Sequence, residues 1–489
     1  MSSLGPALLT GCGAHGGSGM RVLRTVLIVS STAVLVLAAS TLLAQQTPRE
    51  APDARILETR YEIAYPWWDG TRATPLPRSK AFGDPSGQLR LLNSSGAIET
   101  TGHPFFTPLG SNGRACVTCH QPTSAMSLSL DLIRQRWADT HGKDPLFGAI
   151  DGSNCPNLPQ EKEESHSLLL GRGLFRIALP WPPVTAGGQR MKPDFRIEVV
   201  RDPTGCNQNP SSISVYRRPR VVANLKYIAL STGVTLMADG REAGLQSQAI
   251  TAALVHEQAA AAPSPAQLQG IENFERQLFM AQDSDNLGGL LGESGGPALL
   301  GVENVARGFA GTGAVPATGN LAASFDPWRN FSNLAVRQRA FRESVLRGVD
   351  LFTSRQFDLP DGERGACASC HRPGSNRAFD IGTTNLPTAK ESPDLPLFRI
   401  TCQASAAPHS QLGRIFLTHD PGRALITGKC ADAGSIVMQQ FRGLTARAPY
   451  FANGAAGDLM ELVDFYDHRF RIGLTEKEKQ DLVSFLSTL

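Results

Sequence analysis

The sequence predicts a mainly α-helical protein of two domains, each built around its own Cys-x-x-Cys-His turn, with one small β-hairpin inserted in the first. Three observations carry that expectation. The pentapeptides Cys116-Val117-Thr118-Cys119-His120 and Cys367-Ala368-Ser369-Cys370-His371 lie in opposite halves of the 489-residue chain. A Gly-rich, Pro-containing stretch from Asn286 to Ala322 separates the halves. Apolar residues recur at helical spacing in several segments, whereas strand-like composition is concentrated within residues 150–220.

At the N-terminus, Met20 is followed by Arg21 and Arg24, the uncharged run Val26–Ala44 and the polar Gln45-Gln46-Thr47-Pro48. This is the charged, apolar, cleavage-site order of a secretory signal peptide, so residues 1–45 are read as a signal peptide with an N-terminal extension. Ser30, Ser31, Thr32, Ser40 and Thr41 weaken the run as a membrane span, and a membrane anchor is expected only if the segment stays uncleaved. Residues 47–85, rich in Pro and polar side chains, read as an extended arm, and Leu89 to Phe106 leads into the first pentapeptide. The chemistry of that pentapeptide is specific. Its two thiols are spaced to form thioethers with the vinyl groups of a c-type haem, and the adjacent imidazole is turned onto the iron. A zinc ribbon would need its Cys pairs about 15–20 residues apart, and here each distant pair is closed by its own His. The chain is therefore expected to carry two covalently bound haem c groups, attached at Cys116, Cys119, Cys367 and Cys370, with His120 and His371 as iron ligands.

Residues 46–285 form the expected N-terminal haem c domain. Within it, Phe195-Arg196-Ile197-Glu198-Val199-Val200 and Ile213-Ser214-Val215-Tyr216 have β-branched and aromatic content around a turn at Asp202-Pro203-Thr204-Gly205, which predicts a β-hairpin insertion over 150–220. Helices are predicted over Leu245–Glu257 and Pro265–Gln282, the second with Ser264 as N-cap. Residues 286–325 read as a linker and 326–489 as the C-terminal haem c domain. There a helix over Asn333–Leu351 runs up to Cys367. The capping box Thr475-Glu476-Lys477-Glu478 opens a last amphipathic helix carrying Leu482, Phe485, Leu486 and Leu489.

Apart from Cys12 and the four haem thiols, Cys155, Cys206, Cys402 and Cys430 remain, one pair per haem segment. Bridges Cys155–Cys206 and Cys402–Cys430 are the natural pairing among three connectivities, with four buried free thiols as the alternative. Disulfides fit an oxidising compartment, and haem attachment of this kind takes place outside the bacterial cytoplasm, so the expected location is the periplasm. A net charge of +3 with 19% charged residues excludes a polybasic nucleic-acid surface.

Three stretches resemble the bacterial di-haem cytochrome c peroxidase family, which includes the di-haem enzyme that matures a tryptophan-derived quinone cofactor. Met237-Ala238-Asp239-Gly240-Arg241 followed by Leu245-Gln246-Ser247-Gln248-Ala249 is similar to the family's Trp-Asp-Gly-Arg and Leu-Glu-Glu-Gln-Ala. The second pentapeptide is followed by Gly422-Arg423 and Thr427-Gly428. Ala448-Pro449-Tyr450-Phe451-Ala452-Asn453-Gly454, then Leu462-Val463-Asp464-Phe465-Tyr466, resemble Ala-Pro-Tyr-Phe-His-Asn-Gly and Val-Val-Glu-Phe-Tyr. The resemblance implies two cytochrome c-like haem domains, a periplasmic oxidoreductase that reduces hydrogen peroxide or another small oxidant at the haem of His120, and a second haem that passes electrons. The implied donor is a small redox protein, a cytochrome c or a cupredoxin.

By the same resemblance Gln248 takes the place of a distal-pocket Gln, and Glu257 lies one residue short of a distal Glu that moves protons. His256 is a second candidate for that role or for the sixth ligand of the first iron. Peroxide cleavage needs such a group, because a proton must be taken from one oxygen and returned to the other. Tyr466 aligns with the sixth-ligand position of the second haem, where the family has Met or Tyr, and His468, Met438 and Met460 are alternatives. Met126 is read as packing. The chain also departs from the family. Ala238 stands where the family has a Trp between the haems, with Tyr227 the next aromatic upstream, and Ala452 replaces a His. Arg218 replaces the Asn of an interdomain calcium site and Arg447 the Thr beside it, so calcium is disfavoured. A haem-dependent oxygenase or protein-modifying oxidase, and an electron-transfer cytochrome without peroxidase activity, are the competing expectations.

Overall fold

The computed structural model describes residues 66–71, 74–185, 187–226, 236–307, 321–359, 362–370, 381–383 and 392–489. The expected signal peptide, Tyr227 and His371 lie outside the described residues. Residues Ile63–Leu489 cluster as one compact unit.

The chain enters through a hairpin of β1 (Ser79–Asp84) and β2 (Gly87–Asn93). Asp84 closes its turn by accepting from the N–H groups of Ser86 and Gly87 at 2.8 and 3.1 Å. The first Cys-x-x-Cys is a single helical turn, α1 (Cys116–Cys119), followed by α2 (Leu130–Thr140), which Ser129 caps, and α3 (Ser167–Arg172). Strands β3 (Phe175–Pro180), β4 (Phe195–Arg201) and β5 (Ser212–Arg217) come next, then α4 (Leu245–Val255), α5 (Pro265–Gln277) and β6 (Leu278–Asp285). In the second half, α6 (Val336–Ser354) precedes α7 (Cys367–Cys370), strands β7 (Leu397–Cys402) and β8 (Ile415–Thr418) follow, and the chain closes with α8 (Leu459–Phe470) and α9 (Glu476–Leu486).

The mainly α expectation is overturned. The fold is mixed α and β, with five antiparallel sheets among the described residues. Two features hid the strands. Helix α5 does have Ser264 as cap, its hydroxyl accepting from the Gln267 N–H, but it ends at Gln277, and Leu278 turns extended at φ −94° and ψ 122°. Leu278, Phe279, Met280 and Ala281 are buried in β6, which pairs with β2. An apolar run buried on both faces satisfies its backbone in a sheet, and tertiary pairing overrides the helical pattern that precedes it. Second, the two strand-like runs of 150–220 do not form a hairpin with each other. β5 pairs with β3, and β4 pairs with β7, which also carries β8. Phe195 of β4 packs with Ile400, Cys402 and Phe416, contacts a local hairpin could not supply. The arm is shorter than expected as well, since Leu76 and Phe82 are core residues.

The other helices follow their patterns. The capping box at Thr475 is formed, with Thr475 Oγ1 accepting from the Glu478 N–H and the Glu478 carboxylate accepting from the Thr475 N–H. Both expected disulfides are present, Cys155–Cys206 with Cα atoms 5.4 Å apart and Cys402–Cys430 with Cα atoms 5.6 Å apart. Two large apolar clusters form the core. One gathers Phe105, Val221, Leu225, Leu245 and Phe274, with Cys116 packed on it. The other gathers Trp328, Val345, Phe352, Phe485 and Leu486, with Cys367 packed on it. Each Cys-x-x-Cys turn therefore rests on its own cluster. Leu291, Leu300 and Val302, within the Gly-rich stretch, are buried.

Candidate active site

Helix α1 presents Cys116 and Cys119 to one cavity, with His120 at its C-cap. The cavity encloses about 1520 Å³ counting the solvent space of its open mouth. Phe105, Val221, Leu225, Leu236, Leu245 and Ile271 supply much of its apolar wall. His120 Nδ1 lies 3.1 Å from the Met126 carbonyl. A carbonyl accepts, so Nδ1 carries the hydrogen and Nε2 keeps its lone pair. Burial lowers the His120 pKa to about 4, which keeps the imidazole in its neutral, ligand-competent form. Burial also pushes the Cys119 thiol up to about 12 and holds Cys116 well above its usual range. Such thiols are poor thiolate donors to a metal ion, and among the described residues no group of three His, Cys, Asp or Glu could hold one.

These residues fit a haem. Thioethers are neutral, as buried sulfur here must be, and the apolar wall suits a porphyrin face. Arg218, buried, and Arg220, half-buried, line the same cavity, and both donate to backbone carbonyls: those of Arg172, Leu128 and Arg447 for the first, Val437 and Met438 for the second. Such cations, without a carboxylate in those contacts, suit the propionates that a haem carries.

All three distal candidates line this cavity: Gln248 and His256 on or at the end of α4, and Glu257 just beyond it. Gln248 Nε2 has only a long contact, 4.0 Å, to Met237 Sδ. His256 Nδ1 donates to Asp151 Oδ2 at 2.8 Å, and Asp151 is held by Arg114 at 3.0 Å. The carboxylate thereby fixes the imidazole tautomer and leaves Nε2 free to accept a proton or bind a metal. Glu257 is 3% exposed. Its Oε2 accepts from the Leu109 N–H at 2.9 Å, and Oε1 faces Cys116 Sγ at 3.4 Å. Burial raises its pKa to about 7, against the opposing pull of the Leu109 N–H. Gly110 makes this approach feasible, because a Cβ there would meet the Glu257 carbonyl oxygen at 1.7 Å. Asp151, Arg114 and Gly110 were not singled out from sequence. Arg114 stands two residues before Cys116, which is the one local signal that could have drawn attention to it.

The second centre is only partly described. Cys367 opens α7 and Cys370 ends it, while His371 lies outside the described residues. Tyr466 lies on α8 in an aromatic group, parallel to Phe470 at 6.0 Å and close to Phe451 and Phe465. His468 is exposed on the same helix. Met438 lines the first cavity, with His120, and Met126 is buried in the first apolar cluster.

No family model matches the chain. It is 27% identical over 187 residues to cytochrome-c peroxidase IdrP1 of Pseudomonas sp. (strain SCT), a match that covers 34% of this chain and 45% of that protein. Cytochrome-c peroxidase IdrP2 of Denitromonas iodatirespirans is 27% identical over 165 residues, covering 32% and 45%, and IdrP1 of the same organism is 26% identical over 179 residues, covering 34% and 44%. The chain thus spans less than half the length of these curated relatives. The match is weak and agrees with the resemblance its motifs carry, to bacterial cytochrome c peroxidases, proteins that use haem.

Proposed function

We propose that the chain is an exported, periplasmic di-haem c-type oxidoreductase that reduces hydrogen peroxide to water with electrons from a small redox protein. The observation that carries the reading is the gathering of His120, Cys116, Cys119, Gln248, His256 and Glu257 on one cavity. Bound there through Cys116 and Cys119, a haem c would supply the iron that takes up peroxide and the electrons that reduce it. Cys367, Cys370 and His371 hold the second, electron-passing haem.

The reaction consumes two electrons and two protons per peroxide and releases two waters, and the chain's own groups manage the protons. Once Cys116 is a thioether, its sulfur has no hydrogen to give, and Glu257 Oε1 becomes the oxygen that carries a proton. A carboxyl titrating near neutrality is matched to taking and returning that proton. Asp151 holds His256 Nδ1–H and keeps Nε2 turned to a fixed acceptor role, while Arg114 holds Asp151 in place. Gln248, with no close partner among the described residues, is left to hydrogen-bond peroxide.

Steady-state oxidation of a reduced c-type cytochrome by peroxide tests this. Glu257→Gln and His256→Ala should each slow turnover about 10²-fold with haem content unchanged. Wild-type rates in both variants would remove these residues from the chemistry.

A further inference from the structure

Helix α5 lays a second carboxyl against the same cavity, one that the proposed chemistry leaves without a task. Glu275 is 2% exposed, lines the cavity with Cys116 and Glu257, and its Oε2 meets no hydrogen-bond partner among the described residues. Its helix cannot roll to release it, because Leu268, Ile271 and Phe274 are anchored in the core. The cation in its own turn of helix is engaged elsewhere. Arg276 pairs with Glu272 at 2.6 Å, and the second oxygen of Glu272 accepts from Gln246 at 2.6 Å. An ionised carboxylate, buried and unpaired, would cost several kcal/mol, whereas a neutral carboxylic acid avoids most of that penalty and has a hydrogen to donate. The titratable and charged groups around it are Cys116 on α1, Glu257 after α4, His103, edge-on to Phe274, and Glu272 and Arg276 on its own helix. Burial first, then the charge of Glu272, raises its pKa to about 8.

We propose that Glu275 is a second proton-holding residue of this pocket, a neutral acid that delivers its proton into the cavity beside Glu257. The inference rests on the peroxide reading and deepens it. Each peroxide reduced to two waters takes up two electrons from the redox-protein donor and two protons, and two buried carboxyls on one cavity match the two protons. Glu275 gives up its proton as the O–O bond breaks and regains one from solvent before the next turnover.

The test uses full-length holoprotein and two variants. Glu275→Gln keeps size and polarity but cannot release a proton; Glu275→Asp keeps the carboxyl. The expected result is a fall of about 10²-fold in peroxide kcat for Glu275→Gln, partial recovery in Glu275→Asp, and unchanged haem content. The alkaline limb of the wild-type pH profile, where Glu275 loses its proton, should be absent from the Gln variant. Independently of activity, the infrared carbonyl band of a protonated carboxyl should be present in wild type at neutral pH and diminished in Glu275→Gln. Wild-type kcat and pH profile in Glu275→Gln, or no difference in the infrared band, would overturn the inference. A wild type inert to peroxide that still shows the band difference would instead overturn the peroxide reading, and with it the delivery step, while leaving the protonated acid in place.

Discussion

Arg218 shows how a single buried side chain can tie together distant segments of the chain. Its guanidinium donates to the carbonyl oxygens of Arg172 at 3.1 Å, of Arg447 at 3.0 Å and of Leu128, joining three segments distant in sequence. Gly173, at φ +66° on the end of α3, leaves the room, since a Cβ there would lie 2.2 Å from Nη1. Arg218→Met should lower stability by about 3 kcal/mol, because buried carbonyls lose their donors. A urea midpoint that falls with an unchanged slope would show it, and EDTA should leave the wild-type midpoint where it is. At this scale both disulfides were legible in the sequence, since covalent chemistry demands fixed residue types and spacings. Asp151, Arg114 and Glu275 were not, because an Asp, an Arg and a Glu acquire meaning only from partners the fold brings to them.

Among the elements, the helices were legible and the sheets were not. Apolar spacing and caps are local signals, so α4, α5, α6 and α9 begin within a few residues of their expected starts. The pairing of β4 with β7 joins residues about two hundred positions apart, and nothing in Phe195–Arg201 announces Leu397–Cys402 as its neighbour. The contact of α6 with α9 is held by Asp481, which accepts from Arg347 Nε at 2.7 Å and Nη2 at 2.8 Å and from Ser344 Oγ at 2.7 Å. These donors outweigh the effect of burial and hold the Asp481 carboxyl below its usual pKa. A carboxyl depressed in the folded state contributes its stability above the unfolded value and loses it as pH falls through the folded one. Asp481→Asn should therefore destabilise by about 1–2 kcal/mol at pH 7, and the difference from wild type should persist down to about pH 4 and shrink below it. A constant difference across that range, measured by denaturant titration, would mean that the charge of Asp481 contributes nothing to the contact.

For the whole molecule, the two disulfides close loops of 51 and 28 residues, each worth about 4 kcal/mol in the chain-entropy account. One holds the segment between β4 and β5 through Cys206, and the other holds the end of β7 through Cys402. Because each Cys-x-x-Cys turn rests on a separate apolar cluster, loss of one attachment should leave the other intact. Cys119→Ser and Cys370→Ser should each carry one covalent haem fewer by pyridine haemochrome assay, and loss of both from either variant would mean that one attachment is a precondition for folding around the other. The central claim, that the cavity holding His120, His256 and Glu257 is a peroxide-reducing haem site, is tested most directly by one spectrum of the oxidised holoprotein with and without hydrogen peroxide. The expected result is a high-spin component, a rapid spectral change that saturates with peroxide, and its slowing in Glu257→Gln. Two low-spin haems unchanged by peroxide would contradict it.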